Sequence, residues 1–178
     1  MYEKLFVDGI GTVYISRFKG SGMVETGVFL VDVYCLGVKN AFFVQNFHTE
    51  YDHRFCQRMR EQEVTRAISP ACARKLIEGS VLYAQQFGIA PHPDYKKACR
   101  VLGGIDATTC QDSFTYGKDG KPFFFQGPND TPERAQWILR QLERYCGQDK
   151  FHFMVESGAL PGTMLDPSVF EDETDEPK

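Results

Sequence analysis

The chain has 178 residues, of which 42% are hydrophobic, 13% are aromatic and 25% are charged. This length and composition are those of one compact domain with its own hydrophobic core. The formal net charge is −4, and much of the acidic excess lies in the C-terminal segment 167–178 (PSVFEDETDEPK). The rest of the chain is close to neutral, which does not favour general binding to nucleic acid, since that needs an excess of basic side chains.

Two regions are predicted: a single α+β domain over residues 1–166 and a disordered acidic tail over residues 167–178, which is rich in acids and proline. The first eight residues lack the apolar core of a secretory signal. The apolar runs are too short to span a bilayer, so no membrane association is expected. The six cysteines form no CxxC pair. We therefore expect free buried thiols, no disulfide framework and a cytoplasmic location.

The first third of the chain predicts a β-sheet. Segments 11–18 and 23–35 are rich in β-branched and aromatic residues, and the KGSG segment 19–22 between them is typical of a hairpin connection. A third strand is predicted over 40–47. Because apolar residues occupy both faces of segment 23–35, we expect this strand to be central and covered on both sides.

Four helices are predicted. The first covers 49–63, with Thr49 as its N-cap. The second has Ser69 as N-cap, Pro70 at its first position and Gly88 after its end. The remaining helices are predicted over 93–102 and 130–146.

Three short strands are predicted in the last third of the chain. Segments 114–116 and 122–126 flank an Asp-Gly turn and predict a second hairpin, and 151–156 predicts a final strand. Strands and helices are grouped along the chain rather than alternating. The predicted fold is therefore α+β: a mostly antiparallel sheet that starts with a long β-hairpin, with four helices packed on it.

Asp32 is the first candidate catalytic residue, together with Cys35 and Lys39. A carboxylate inside an apolar central strand is costly unless it is paired or hydrogen-bonded. One interpretation is structural: Asp32 pairs with Lys39 or Arg17, or accepts backbone N–H groups. The other is functional: Asp32 is a site residue with Cys35 and Lys39 beside it. Cys35 would be a nucleophile only with a lowered pKa, and a buried inert thiol is the alternative.

Asp8 and Asp32 also resemble the way in which ribonuclease H-like nucleases begin, with an aspartate followed by a long hairpin. Two metal ions in such a site need three or four convergent carboxylates. The three consecutive helices after the hairpin depart from that pattern, and Asp8 before Gly9 also fits an ordinary turn. The histidines lack the i,i+4 spacing of helical zinc sites. We therefore predict no metal and no cofactor; a site built from His92 with Asp106, Cys99 or Cys110 is the open alternative.

Five residues are candidates for binding. His92 lies in a rigid loop between two prolines, and Asp130 precedes a helix N-terminus, where it either caps the helix or marks an anion site. Trp137, the only tryptophan, and Arg144 are predicted on the face of the last helix opposite its core face. Leu82 is similarly placed on the second helix. Exposed tryptophan and arginine are typical of interface anchors, so this patch indicates a protein partner or a homo-oligomer.

The segments FLVDVYCLGVK (29–39) and FTYGKDGKPFFFQGPND (114–130) resemble a bacterial family of uncharacterised conserved hypothetical proteins. The resemblance also includes the helix and PHPDY segment over 70–95, and so spans most of residues 5–156. It implies a bacterial, intracellular protein and no particular activity.

Three functional hypotheses follow. The first is a cytoplasmic binding or accessory module that acts through a protein partner, with Trp137 and Leu82 in its contact patch. The second is a small carboxylate-based hydrolase or nuclease centred on Asp32. The third is a nucleic-acid-associated factor, which is not favoured, that would use the basic side chains Arg58, Arg60, Arg66, Arg74 and Lys75.

Overall fold

A three-stranded antiparallel sheet lies at the centre of the computed structural model, which describes residues 1–155. Its strands are β1 (Ile10–Phe18), β2 (Met23–Asp32) and β3 (Gly37–Phe47), in the order β1-β2-β3. The predicted hairpin and the central position of its second strand are therefore confirmed. The predicted acidic tail and the predicted end of the domain, residues 156–178 together, lie outside the described residues.

The helices complete an α+β fold, as predicted from the order of elements. The helical segments are α1 (Leu5–Asp8), α2 (His48–Glu50), a π-helical stretch (Tyr51–Cys56), α3 (Gln57–Gln62), α4 (Pro70–Gln85), α5 (Tyr95–Ala98), two 3₁₀ turns (Cys99–Leu102 and Ala107–Thr109) and α6 (Pro132–Cys146). A second, two-stranded parallel sheet pairs β4 (Phe123–Phe125) with β5 (His152–Met154).

Side chains on one face of the central sheet form the largest core cluster with α4, α5 and the following 3₁₀ turn. Phe29 and Val31 of β2 are fully buried there against Leu76 of α4 and Val101 of the 3₁₀ turn. The alternation of a strand sends Val24 and Val28 to the opposite face. There they pack in a cluster with the continuous helical segment that runs from α2 to α3. Strand β2 is thus covered on both sides, as its two apolar faces predicted.

A third core cluster lies beyond the end of the sheet. It joins the turn between β2 and β3 to the end of α4, to Phe124 of β4 and to the apolar stripe of α6. The stripe consists of the four buried residues Ala135, Ile138, Leu139 and Leu142. Helix α6 and the small sheet therefore stand beside the turn at which β2 ends.

One of the helix starts follows the predicted capping chemistry and two do not. Ser69 Oγ accepts the Cys72 amide N–H at 3.2 Å, with Pro70 in the first turn as predicted. Helix α6 is capped by Thr131, which accepts the Arg134 amide N–H, so the prediction that Asp130 caps this helix is wrong. Thr49 is not an N-cap either, since the helical segment begins at His48 without a side-chain cap.

The predicted second hairpin is wrong. Residues 114–116 form no strand, and the Asp-Gly turn closes a single bridge between Lys118 and Lys121. Tertiary contacts replace strand pairing: the Gly117 amide N–H donates to the Val33 carbonyl at 2.9 Å, and the Tyr116 hydroxyl donates to the Leu76 carbonyl at 3.1 Å. Strand β4 pairs in parallel with β5 instead.

Cys72 and Cys110 form a disulfide, so the expectation that the cysteines are free thiols is wrong for this pair. It joins the start of α4 to the loop that follows the 3₁₀ turn at Ala107–Thr109. The expectation failed because the two residues are 38 positions apart and belong to no recognisable spacing pattern. Within residues 1–155, no helix combines the length and the apolar character needed to cross a membrane.

We expect the double variant Cys72→Ser/Cys110→Ser to unfold at lower urea concentration than the wild type. Closing a loop of this length stabilises the native state by about 3–4 kcal/mol in the chain-entropy account. Cys146→Ser is the matched control, since Cys146 is a free, half-buried cysteine. Alkylation of both Cys72 and Cys110 in unreduced, unfolded wild type would contradict the disulfide.

Candidate functional site

The candidate site lies where β2 ends and the chain turns into β3. The turn is compressed against α4: a Cβ atom on Gly37 would lie 2.7 Å from the Ser80 carbonyl oxygen, and its φ of +67° is one that glycine adopts readily. Asp32, the last residue of β2, is only 7% exposed. Turn and carboxylate are therefore held in one arrangement by backbone packing rather than by flexible side chains.

The carboxylate of Asp32 is bonded to the backbone of this turn. Its Oδ1 atom accepts the amide N–H of Tyr34 at 2.9 Å and that of Cys35 at 2.8 Å. Of the predicted structural partners, the backbone amides are therefore the ones used, and neither Lys39 nor Arg17 forms an ion pair with Asp32. Burial raises the pKa of Asp32 to about 6, against the lowering effect of these N–H groups and of the nearby Lys39 charge.

Lys39 lies at an irregularity in the pairing of β2 with β3. Leu30 pairs with Asn40 but the next residue, Val31, pairs with Val38, so Lys39 is the extra residue of a β-bulge. Val38 keeps its place in the core cluster, and the bulge turns Lys39 away from it. Its Nζ atom pairs with Asp130 Oδ2 at 2.5 Å, and the two side chains are 15% and 3% exposed.

Asp32 and Lys39 line the same cavity, of about 450 Å³. We call it the Asp32 cavity. Its polar groups include Asp8 and Tyr34, and its walls are largely apolar. The wall residues are Gly9, Ile10, Leu30, Phe123, Phe125, Gly127, Pro128 and Asn129. The structure thus brings together two of the three predicted catalytic residues, and Asp8, the other carboxylate of the nuclease resemblance, lines the same cavity.

Asp8 and Tyr34 are fixed by hydrogen bonds at the mouth of the cavity. The Tyr2 hydroxyl donates to Asp8 Oδ2, and the Tyr34 hydroxyl donates to the carbonyls of Phe6 and Val7 at 3.0 Å each. Tyr34 was not selected from the sequence. The signal that could have indicated it is its position two residues after Asp32, in the turn whose amide N–H groups donate to the Asp32 carboxylate.

A second cleft, of about 460 Å³, lies on the other side of the Lys39–Asp130 pair. We call it the Trp137 cleft. It shares Leu30, Lys39 and Asn129 with the Asp32 cavity. Three of the predicted binding residues, His92, Asp130 and Trp137, are part of its lining. They had been selected for separate reasons, and the structure places them around one concave surface.

The other predicted site residues lie elsewhere. Cys35 is fully buried, and burial raises the pKa of its thiol well above its ordinary value, so it is not an activated nucleophile. Leu82 is 64% exposed on α4 and is not in the lining of either cleft described here. Arg144 stacks on the neighbouring Tyr145 ring at 5.5 Å and is likewise outside both linings.

Potential metal ligands and basic residues add little to the site. Among residues 1–155, the one group of three ligand-type side chains close enough to share an ion is Cys72, Cys110 and Asp112, and two of these form the disulfide. Of the basic side chains proposed for nucleic acid, Arg74 and Lys75 are engaged by carbonyls of the loop over 103–112. These two side chains therefore hold the loop against α4.

The raised pKa of Asp32 predicts a pH dependence of stability with a defined sign. Between pH 3.8, its ordinary pKa, and pH 6, the folded protein keeps a proton that the unfolded chain releases, so this group's contribution falls as pH rises and is constant above. A shift of this size corresponds to roughly 2–3 kcal/mol. Asn at position 32 can still accept the turn amides and does not titrate.

We therefore expect the free energy of unfolding of Asp32→Asn, relative to wild type, to increase by that amount between pH 4 and pH 7. Urea unfolding at both pH values measures it. The control is Asp119→Asn, which changes an exposed carboxylate. Its free energy of unfolding should differ from that of the wild type by the same amount at pH 4 and at pH 7. A constant difference for Asp32→Asn as well would show that Asp32 titrates normally.

The chain was also compared with known proteins. No protein-family model matches it, and neither the curated proteins nor the solved structures searched gave a match. The resemblance to a bacterial family of uncharacterised proteins therefore stays a prediction, and function must be argued from the site.

Proposed function

We propose that this protein is a small hydrolase in which Asp32 acts as the general base. The observation that carries the proposal is the position of its carboxyl group: it opens into a cavity with apolar walls and has a pKa of about 6. A base with a pKa just below physiological pH is mostly ionised, yet basic enough to accept a proton from water. Water is then the nucleophile, which agrees with the inert state of Cys35.

The other polar groups of the cavity support the same chemistry. Lys39 brings a positive charge to the wall, where a negative charge that develops on a substrate carbonyl would be stabilised. Its ion pair with Asp130 holds it in place without a change of conformation on binding. Asp8 is exposed at the mouth of the cavity while Asp32 is buried, so the second carboxylate lies on the solvent side of the proposed base.

The apolar walls favour a substrate with an uncharged body. Leu30, Phe123 and Phe125 line the cavity beside the carboxylate. Its volume is within the usual range for sites that hold small organic molecules. The proposed substrate class is therefore small esters or amides with an apolar acyl group.

A series of p-nitrophenyl esters from acetate to octanoate tests the proposal. We expect hydrolysis that rises with pH through about 6, because the ionised form of Asp32 is the active one. Asp32→Asn should lose at least about 100-fold in kcat/KM, within the range that general base catalysis contributes. Asp119→Asn should retain wild-type rates.

Two results would contradict the hydrolase. One is a rate of ester hydrolysis in Asp32→Asn equal to that of the wild type. The other is a wild type that hydrolyses no member of the series although the stability measurements confirm the raised pKa of Asp32. That second result would favour the binding module, because the carboxyl group would be present and poised without catalysis.

The partner-binding module is our second proposal, and the exposed side chain of Leu82 favours it. A contact with a partner would remove the apolar surface of this side chain from water. Sedimentation velocity of wild type and Leu82→Glu over the same concentration range tests self-association through this position. If the wild type and the variant both sediment as monomers, Leu82 is not a contact between copies of this chain.

A further inference from the structure

We propose that the Trp137 cleft is a binding site for an organic anion with a flat apolar body, such as an aromatic carboxylate. This site adjoins the proposed hydrolase centre and shares Lys39 with it, but it does not involve Asp32. The inference begins from the charges in the cleft. Its lining holds two cations, Lys39 and Arg134, and one acid, Asp130. The local formal balance is thus positive, although the folded body as a whole is close to neutral.

Asp130 neutralises one of these two positive charges and leaves the other uncompensated. Its side chain is 3% exposed, and its Oδ2 atom already accepts Lys39 Nζ and the Gly127 amide N–H at 2.9 Å. Its Oδ1 atom lies 3.4 Å from Arg134 Nε. The carboxylate is therefore enclosed by its own partners, and what faces an incoming ligand is the outer part of the Arg134 guanidinium group, whose side chain is 48% exposed.

Arg134 has the donor geometry that carboxylate recognition needs. The guanidinium group has five N–H donors in a planar fork, and the contact with Asp130 uses the Nε side. The buried Asp130 carboxylate attracts the Nε side of the fork, and the other N–H groups of the guanidinium are left for a ligand. Binding in this geometry gives up less side-chain freedom than binding by an unrestrained surface arginine.

His92 adds a second donor. Its Nδ1 atom accepts the Asp94 amide N–H at 3.2 Å, so the neutral imidazole carries its proton on Nε2. The loop that holds it is rigid: prolines flank it on both sides, and the His92 amide N–H donates to the Val38 carbonyl of β3 at 2.9 Å. A donor held on such a loop does not need to be ordered by the ligand.

The apolar part of the cleft sets the shape of the ligand. Trp137 is 36% exposed and lies one helical turn after Arg134 on α6. Ile89 and the two prolines that flank His92 contribute further apolar surface to the lining. A tryptophan ring beside an arginine fork favours a planar ligand that stacks on the ring while its anionic group reaches the guanidinium.

Titration of the ¹⁵N-labelled protein with 2-naphthoate tests the proposal. Trp137 is the only tryptophan, so its indole N–H gives one unambiguous signal. We expect this signal to shift saturably, and 2-naphthamide, which has the same body without the charge, to bind at least tenfold more weakly. Arg134→Gln should lower the affinity for 2-naphthoate at least tenfold. The matched control is Arg140→Gln, which changes an exposed arginine on the same helix outside the cleft and should alter this affinity less than twofold.

Three results would overturn the proposal. They are no shift of the indole signal at millimolar 2-naphthoate, equal affinity for the amide, and an affinity that Arg134→Gln leaves unchanged. Asp32→Asn separates this site from the proposed hydrolase centre, because it should abolish hydrolysis and leave the affinity for 2-naphthoate at its wild-type value. A loss of 2-naphthoate binding in Asp32→Asn would show that binding in the Trp137 cleft depends on Asp32, which would contradict the proposal.

Discussion

The ion pair between Lys39 and Asp130 connects parts of the chain that are 91 residues apart, and both clefts depend on it. Lys39 lines both the Asp32 cavity and the Trp137 cleft, and Asp130 lines the Trp137 cleft. A pair as buried as this is costly to form, and its net contribution to stability is small compared with the cost of removing one partner. Its value here is geometric, because it fixes α6 relative to the bulge in β3.

Asp32 illustrates how one side chain can have a structural and a chemical role. Its Oδ1 atom accepts two amides of the turn, which ties the conformation of residues 33–36 to the end of β2. The same enclosure removes water from the carboxyl group and raises its pKa. The two interpretations of Asp32 that the sequence left open are therefore compatible. A neutral isostere such as asparagine can separate them, since it preserves the acceptor and removes the proton exchange.

The central sheet and its covering could be predicted because each depended on local patterns. Two apolar faces on segment 23–35 indicated a central strand, and Ser69 with Pro70 marked the start of α4. The disulfide and the parallel pairing of β4 with β5 could not be predicted in the same way. They are decided by which distant segments meet, and a turn signal such as Asp119-Gly120 forms a hairpin only if no other partner competes for β4.

The candidate site shows the same division. Asp32, Asp8, Lys39, His92 and Trp137 could each be selected from the sequence as unusual residues, but not assembled into two adjacent clefts. The bulge was the missing information, because it changes the direction of Lys39 without a glycine or proline to mark it. Arg134 was missed although a signal existed. It lies four residues after Asp130 and three before Trp137, which is the spacing of one helix face.

That spacing explains why the Trp137 cleft has a defined shape rather than being an accidental hollow. The stripe Ala135, Ile138, Leu139 and Leu142 fixes the rotation of α6 about its axis. The buried Asp130, immediately before the Thr131 cap, fixes the start of the helix. With rotation and start both determined, Arg134 and Trp137 have little freedom in their backbone positions. An α6 held only by its apolar stripe could slide along the core, and the distance between the guanidinium fork and the β3 bulge would vary. The ion pair removes that freedom, and it therefore sets the positions of the two side chains on which the proposed anion site depends.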